Sequence, residues 1–223
     1  LVTYDSIYGI YIFHFKKPLQ PNDSVRYNFK LKHKLKGYEV DKTIVKNGTY
    51  ITHRDFEPML GYSSSLEITN NIEREKRNLP KREKENSTDQ HIALEDFNSE
   101  KINFETIVST SINQMALSSG SLVKQWSENN RNYFHYKTKN KVIPMIAYFS
   151  AYYKTKKVDY KGISIEQYYD AAHAFNIEDI ENSTKQTIDY CEENFGDYAF
   201  DHVRIAEIPS HWSFGGFAHP GVI

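Results

Sequence analysis

Apolar and polar residues alternate along the first part of the chain, which is the pattern expected of β-strands. One candidate strand covers Tyr8–Phe15, with aliphatic or aromatic side chains on both faces. A second covers Ser24–Lys34, where apolar residues recur at every other position, and Pro18–Asn22 would form the turn between the two. Both segments are therefore predicted to be strands.

The dipeptide Asn47-Gly48 is the strongest short hairpin signal in the sequence, because both residues tolerate the positive φ angles of a two-residue turn. It lies between the candidate strands Val40–Val45 and Tyr50–Thr52. We therefore expect these two strands to pair with each other.

The segment Ile72–Gln90 is highly charged and has almost no residues that could build a core. Positive and negative side chains alternate in it, whereas segments that bind nucleic acids cluster charge of one sign. A solvated connector is therefore favoured over a nucleic-acid patch, with a short helix to about Asn78 and an exposed loop after it.

The second half of the sequence contains regularly spaced strand patterns divided by polar turns. The predicted strands are Phe104–Ser111, Leu122–Trp126, Arg131–Tyr136, Ile146–Tyr153 and Ile163–Tyr168. Such a series is typical of an antiparallel sandwich or of layered sheets. The predicted fold class is mainly β: an antiparallel, sandwich-like domain followed by an α+β segment.

One helix is predicted between residues 176 and 195, because apolar side chains repeat there at helical spacing. Asn176 could cap its start, and Gly196 is placed to end it. The strand Val203–Ile208 follows. A helix that leads into a strand departs from the preceding β architecture, so a domain boundary is predicted near Tyr153, with domains at 1–153 and 154–223.

Composition and charge narrow the classes of function. The 223 residues include 28 basic and 29 acidic side chains and carry a net charge of −1. Such balance provides no long-range field to attract nucleic acid or an anionic membrane. The single cysteine, Cys191, excludes an intrachain disulfide, and its place on the apolar stripe of the helix favours a core role over a nucleophile.

The sequence contains nine histidines, which are common metal ligands, so we consider a metal site. The His-Glu-x-x-His motif, which places two zinc ligands and a general base on one helix face, does not occur in the sequence. The densest group of potential ligands is Glu207, His211 and His219, but Pro209 breaks any helix that could align them. A polar loop beside a strand is favoured over a zinc site, and no metal ligand is predicted.

Four segments follow one another from Phe104 onward: Met115–Gly120, Pro144–Ala151, Glu193–Tyr198 and Val203–Pro209. Their order resembles the aminopeptidase N family of zinc metallopeptidases. In that family a saddle-shaped β-domain leads into a thermolysin-like catalytic domain. The resemblance therefore implies that residues 1–153 form the saddle-like domain and that residues 154–223 are a partial thermolysin-like α+β segment.

The segment Phe214–Gly221 lies where the family has its Gly-Ala-Met-Glu-Asn motif, a strand that pairs with the substrate backbone. The resemblance implies that the substrate-binding residues are Gly215, Gly216, Phe217, Ala218 and His219. Ala218 stands at the motif's glutamate and His219 at its asparagine. The missing carboxylate removes the charge partner of a peptide amino terminus. The segment Phe56–Tyr62 matches the corresponding family segment poorly.

The resemblance further implies a longer parent protein, in which zinc and a His-Glu-x-x-His helix would lie beyond this sequence. The sequence resembles a divergent bacterial subgroup in which such a region is fused to a permease-like membrane region, so the resemblance implies that a membrane would be reached only through that region. The expected role is a non-catalytic scaffold and one wall of the cleft for a peptide substrate, without nucleic acid. A pseudo-peptidase and an unrelated β-sandwich binding module remain open alternatives.

Overall fold

A computed structural model describes residues 2–6, 9–32, 44–57, 68–82, 101–212 and 215–223. The chain divides into two compact units, Leu1–Lys36 and Gly37–Ile223. The division predicted at Tyr153 is a different one and stays a prediction.

The first unit contains an antiparallel hairpin of β1 (Val2–Asp5) and β2 (Ile10–Phe13), in which Val2 lies opposite Phe13. The strand predicted at Ser24–Lys34 is wrong over its described residues, 24–32, which belong to no strand. Alternation alone does not make a strand, because the backbone also needs a ladder partner. The ring of Tyr27 packs edge-on against Phe13, with centroids 5.5 Å apart.

The second unit is built mainly from three sheets, each with three strands in the described residues. The strands are β3 (Thr49–Thr52), β4 (Glu105–Ser111), β5 (Met115–Ser118), β6 (Ser121–Glu128), β7 (Arg131–Lys137), β8 (Ala147–Ala151), β9 (Lys154–Tyr160), β10 (Ile163–Tyr169) and β11 (His202–Ala206). Their orders in the three sheets are β3-β8-β5, β4-β7-β6 and β11-β10-β9, and all pairs are antiparallel except β10 with β11. The prediction of a mainly β fold is confirmed.

The predicted strand Tyr50–Thr52 is present, but it pairs with β8, and Tyr50 lies opposite Phe149. Ile44 and Val45 lie outside any strand, and the rest of the predicted partner, 40–43, is outside the described residues. Asn47 instead accepts a hydrogen bond from the backbone N–H of Tyr152 at 2.9 Å. A long-range pairing therefore takes the place of the predicted hairpin.

Two α-helices are present in the described residues: α1 (Asn71–Glu75) and α2 (Ile177–Phe195). The helix predicted at 176–195 is confirmed, and it ends at Gly196 with a φ of +103°. The Asn176 side chain makes no capping bond, which corrects that prediction. The chain enters α2 through the 3-10 turn Ala171–Asn176, and Asp170 caps this turn.

The buried residues of the second unit form three clusters within the described part of the chain. Ile188 of α2 packs on the sheet of β10 and β11, beside Ile165 and Val203. A second cluster joins Val222, near the last residue of the sequence, to β3, β5 and β8. Val222 thereby fixes the segment that contains the predicted substrate-binding residues. No helix of the described residues is long and apolar enough to cross a membrane.

Candidate functional site

The predicted site residues Gly215–Ala218 lie on the surface and belong to no strand. Among the backbone hydrogen bonds of the described residues, none involves Gly215, Gly216 or Ala218. A Cβ atom built on Gly215 or Gly216 would meet nothing within 4 Å. Gly215–Ala218, which we call the wall, therefore presents backbone N–H and C=O groups that another chain could approach closely.

A tight turn at His219–Val222 ends the wall. Backbone hydrogen bonds join His219 N to Val222 O at 2.7 Å and Val222 N to His219 O at 3.0 Å. Pro220 and then Gly221, with a φ of +76°, occupy the central positions, as in a type II turn. A Cβ on Gly221 would lie 2.8 Å from Nε2 of His202, so the position requires glycine for space as well as for conformation.

The turn attaches the wall to the edge of the sheet that contains β11. Arg204 N donates to Gly221 O at 3.1 Å, Ile223 N to Arg204 O at 2.7 Å and Ala206 N to Ile223 O at 2.8 Å. Val222 accordingly forms a parallel bridge with Arg204. Over its described residues, 215–221, the strand that the resemblance implies for Phe214–Gly221 is therefore replaced by a bridge next to the turn.

His219 is 8% exposed, and its ring makes two hydrogen bonds. Nε2 lies 2.9 Å from the hydroxyl of Tyr50, and Nδ1 lies 2.9 Å from the carbonyl oxygen of Met145. Burial lowers the pKa of His219, although the Met145 carbonyl acts in the opposite direction. The imidazole faces the interior, so a substrate would meet His219 through its backbone or through its neighbours.

A cleft of about 290 Å³ lies beside the wall. Its surface is mostly aromatic and aliphatic, and Glu207 is the only charged side chain among the described residues that line it. The ring of Tyr50 packs against Trp212 edge to face at 5.2 Å and against Phe149 at 5.1 Å. The lining is completed by Ile205, Ala206, Ile208, Pro209, Ser210, Gly215, Gly216, Phe217 and Ile223.

The Glu207 carboxylate is held in place by its neighbours. Oε2 accepts a hydrogen bond from Asp170 N at 2.8 Å, and Oε1 contacts Nδ1 of His173. Its backbone carbonyl accepts a hydrogen bond from the Tyr153 hydroxyl at 2.9 Å. Glu207 lines two further clefts of about 270 and 280 Å³, both shared with His173.

The possible ligand group of Glu207, His211 and His219 is not assembled. Glu207 contacts His173, whereas the ring of His219 bonds to Tyr50 and Met145. No group of three or more His, Cys, Asp or Glu side chains that could hold a metal occurs in the described residues. These side chains do not fit a zinc ion, and no step through a metal is assigned to them.

A buried ion pair supports the strand that carries the turn. Nε of Arg204 donates to Oε2 of Glu166 at 2.8 Å, and Nη1 donates to the carbonyl oxygen of Gly120 at 2.6 Å. Lys157 and Tyr168 also donate to Glu166, at 2.7 and 2.9 Å. Arg204 therefore joins the β5–β6 turn to the β10–β11 sheet.

The sequence indicated the wall but not the side chains that form the cleft beside it. The sequence pattern predicts Tyr50 only as a strand residue, and no pattern indicates Trp212 as part of a cleft. Glu207 is indicated only as a residue of the predicted strand Val203–Ile208 and as a possible metal ligand. Aromatic enrichment around residues 211–217 was the one local signal, since the other contacts join residues far apart in sequence.

No protein-family model and no curated protein matches the chain. Its structure is similar to an M1 zinc metallopeptidase mutant from Deinococcus radiodurans bound to Tyr-Ser-Ala, with 16% identity, a TM-score of 0.44 and coverage of 50% of this chain and 27% of that one. A structure of the mutant described without the peptide gives 15% identity, the same coverages and the same TM-score.

A third structure is Legionella pneumophila aminopeptidase A in complex with aspartic acid. The identity is 14% and the TM-score is 0.43, with 47% of this chain and 13% of that chain covered. This chain thus spans about a quarter or less of the length of the structures to which it is similar.

Proposed function

We propose that this chain forms one wall of a peptide-binding cleft. An extended peptide would lie along Gly215–Ala218 and exchange backbone hydrogen bonds with it, while one of its side chains enters the aromatic cleft. Recognition of this kind is β-augmentation, in which main-chain bonds give affinity and pockets give specificity. The observation that carries the proposal is the unpaired, exposed backbone of Gly215, Gly216 and Ala218 beside that cleft.

The lining of the cleft favours an apolar or aromatic peptide side chain. Four aromatic rings of the described residues line the cleft: those of Tyr50, Phe149, Trp212 and Phe217. An apolar side chain that packs against them gains about 25 cal/mol of binding free energy for each Å² of apolar surface removed from water. A cleft of about 290 Å³ is near the small end of the range for ligand sites. One large side chain is therefore a better occupant than a folded domain.

We further propose that this cleft belongs to a longer, zinc-dependent aminopeptidase-like protein that hydrolyses peptides. The support is the order of sequence segments described above. In such a parent, bacterial and attached to a membrane through another region, zinc would be bound outside the described residues. This chain would contribute scaffold and substrate contacts, and we expect it to bind peptides without cleaving them.

A pseudo-peptidase, in which the same cleft only binds, is the second candidate. Ala218 favours it, because a methyl group stands where the resemblance implies a carboxylate for the peptide amino terminus. Both candidates require the same wall, so one binding experiment tests them together.

The experiment is a peptide titration followed by the fluorescence of Trp212. The sequence has two tryptophans, and Trp126 lies in β6, stacked on Tyr133. In a Trp126→Phe background, Trp212 in the cleft becomes the sole tryptophan. We expect Ala-Leu-Ala-Ala to change its emission saturably, and the same peptide with methylated backbone nitrogens to bind much more weakly.

The decisive variant is Gly216→Val, because a side chain at this position meets no neighbour yet blocks the approach of a peptide backbone. Loss of two backbone hydrogen bonds, at about 1 kcal/mol each, should weaken binding about thirtyfold. Ala199→Val, at an exposed position between α2 and β11, is the matched control and should bind like the parent. Equal affinity for the two peptides, or unchanged binding by Gly216→Val, would contradict the proposal.

A further inference from the structure

His219 connects the wall to the interior of the second unit. It directly follows the wall in sequence, and its ring reaches Tyr50 on β3 and the carbonyl group of Met145 just before β8. Its ring centroid lies 5.0 Å from that of Phe217, which lines the cleft. One side chain thus contacts the wall, a central strand pair and the chain that leads into it.

The two hydrogen bonds of His219 fix the position of its proton. The Met145 carbonyl oxygen can only accept, so Nδ1 must carry the hydrogen. In the neutral ring Nε2 is then an acceptor, and the Tyr50 hydroxyl donates to it. In the other neutral tautomer Nδ1 would carry no hydrogen, so two acceptors, Nδ1 and the Met145 carbonyl oxygen, would face each other.

We propose that His219, in its Nδ1–H tautomer, is a positioning residue that holds the wall and the Phe217 ring in the arrangement that accepts a peptide. This inference rests on the proposed function, since it assigns the cause of the wall's geometry. The imidazole does not touch the peptide. The wall can bind a peptide only when the bonds of His219 to Tyr50 and Met145 hold the wall in place.

The arrangement also explains why histidine suits this position, because its flat ring donates a hydrogen bond at one nitrogen and accepts one at the other. Phe149 and Tyr50 pack around the ring, with centroids at 6.3 and 6.0 Å, so the site needs a flat side chain. An asparagine could donate to Met145 but would be too short to reach Tyr50 as well. A leucine would leave both partners unsatisfied.

Three variants test the bond between Tyr50 and His219. Tyr50→Phe removes the hydroxyl and keeps the ring, and His219→Asn keeps a donor for Met145. The double variant completes a cycle, because both single changes delete the same Tyr50–His219 bond. Tyr160→Phe is the matched control, since Tyr160 on β9 does not line the cleft and its hydroxyl bonds to Asp189 of α2 at 2.8 Å.

The first measurement is a long-range proton–nitrogen spectrum of the histidine rings in the unchanged chain. We expect His219 to show a protonated Nδ1 and an unprotonated Nε2 near pH 7.5. An Nε2–H tautomer would overturn the inference without any variant being made. The amide signals of 215–218 should then shift in Tyr50→Phe and His219→Asn but stay in place in Tyr160→Phe.

The second measurement is peptide affinity. Apparent affinity falls with the fraction of chains in the competent arrangement. Deleting one hydrogen bond should therefore weaken binding by up to about tenfold. The double variant should be no weaker than the weaker single variant. Unchanged wall signals and affinity in both single variants, or fully additive losses, would overturn the inference.

The two proposals fail in different ways. If the unchanged chain binds no peptide, the proposed function is refuted, while the ring tautomer and the wall signals still decide the role of His219. If the chain binds peptide but Tyr50→Phe leaves the wall signals and affinity unchanged, His219 has no positioning role and the cleft proposal stands.

Discussion

Replacing Glu166 by glutamine tests how strongly the buried ion pair holds the second unit together. The side chains of Arg204 and Glu166 are 3% and 11% exposed, and their atoms Nε and Oε2 are 2.8 Å apart. Burial by itself raises the pKa of Glu166. Hydrogen bonds from Lys157, Tyr168 and Arg204, together with the charge of Arg204, outweigh burial and lower the pKa to about 2.

The pKa gives a magnitude for the change. A fall from the ordinary 4.5 to about 2 corresponds to about 3 kcal/mol in favour of the ionised carboxylate, at about 1.4 kcal/mol for each pKa unit. Removing one partner of a buried pair independently costs about 3 to 5 kcal/mol, because the remaining charge loses its compensation. Glu166→Gln should therefore lower the free energy of unfolding by about 3 kcal/mol at pH 7.

The assay is urea unfolding followed by circular dichroism at several pH values. Because the folded pKa lies below the unfolded one, the contribution of Glu166 is complete above about pH 4.5 and is lost as pH falls towards 2. Glu166→Gln should therefore differ most from the unchanged chain at pH 7 and least near pH 2. The control is Glu105→Gln, whose carboxylate is half exposed beside Lys137 and should matter little. Equal, small losses for both variants would refute this reasoning.

Three other predictions concern the turn, a buried histidine and the helix. Gly221→Ala should cost about 1 to 2 kcal/mol from its positive φ alone, measured by urea unfolding, and an unchanged midpoint would contradict this. Burial and then the charge of Arg204 lower the pKa of His202, so its contribution to stability is complete above about pH 6.5 and declines below it. Between pH 7.5 and 5, the melting temperature of His202→Gln should therefore fall less than that of the unchanged chain. Ile188→Ala should cost about 2 to 5 kcal/mol, read from the same unfolding curves, because it opens a cavity between α2 and the sheet.

Local signals predicted the elements whose structure depends on neighbours in sequence. The helix α2 follows from its apolar period and from Gly196, both of which act within a few residues. The apolar pattern does not predict strand β9, because its sequence is rich in lysine and lacks an apolar face. A tight turn at Lys161 and Gly162, with φ angles of +54° and +79°, pairs it with β10 and thus makes it a strand.

Long-range pairing explains the failures near the start of the chain. Tyr50–Thr52 forms a strand, but its partner is β8, about 100 residues away in sequence, and Asn47 supports that pairing through Tyr152. Turn propensity at Asn47-Gly48 could not reveal this partner. The same applies to the site, where the Tyr50–His219 bond spans 169 positions and no local pattern encodes it.

The wall and the buried charges depend on each other through one residue. The Arg204 backbone binds Gly221 and Ile223, while its guanidinium binds Glu166 and the carbonyl groups of Ser118 and Gly120. An apolar side chain could fill the same space, but it would remove one donor from each of these acceptors. The buried pair of Arg204 and Glu166 therefore fixes strand β11, to which the wall is attached. Glu166→Gln should for this reason shift the amide signals of 215–218 as well as lower stability, whereas a loss of stability with unmoved wall signals would show that the two are independent.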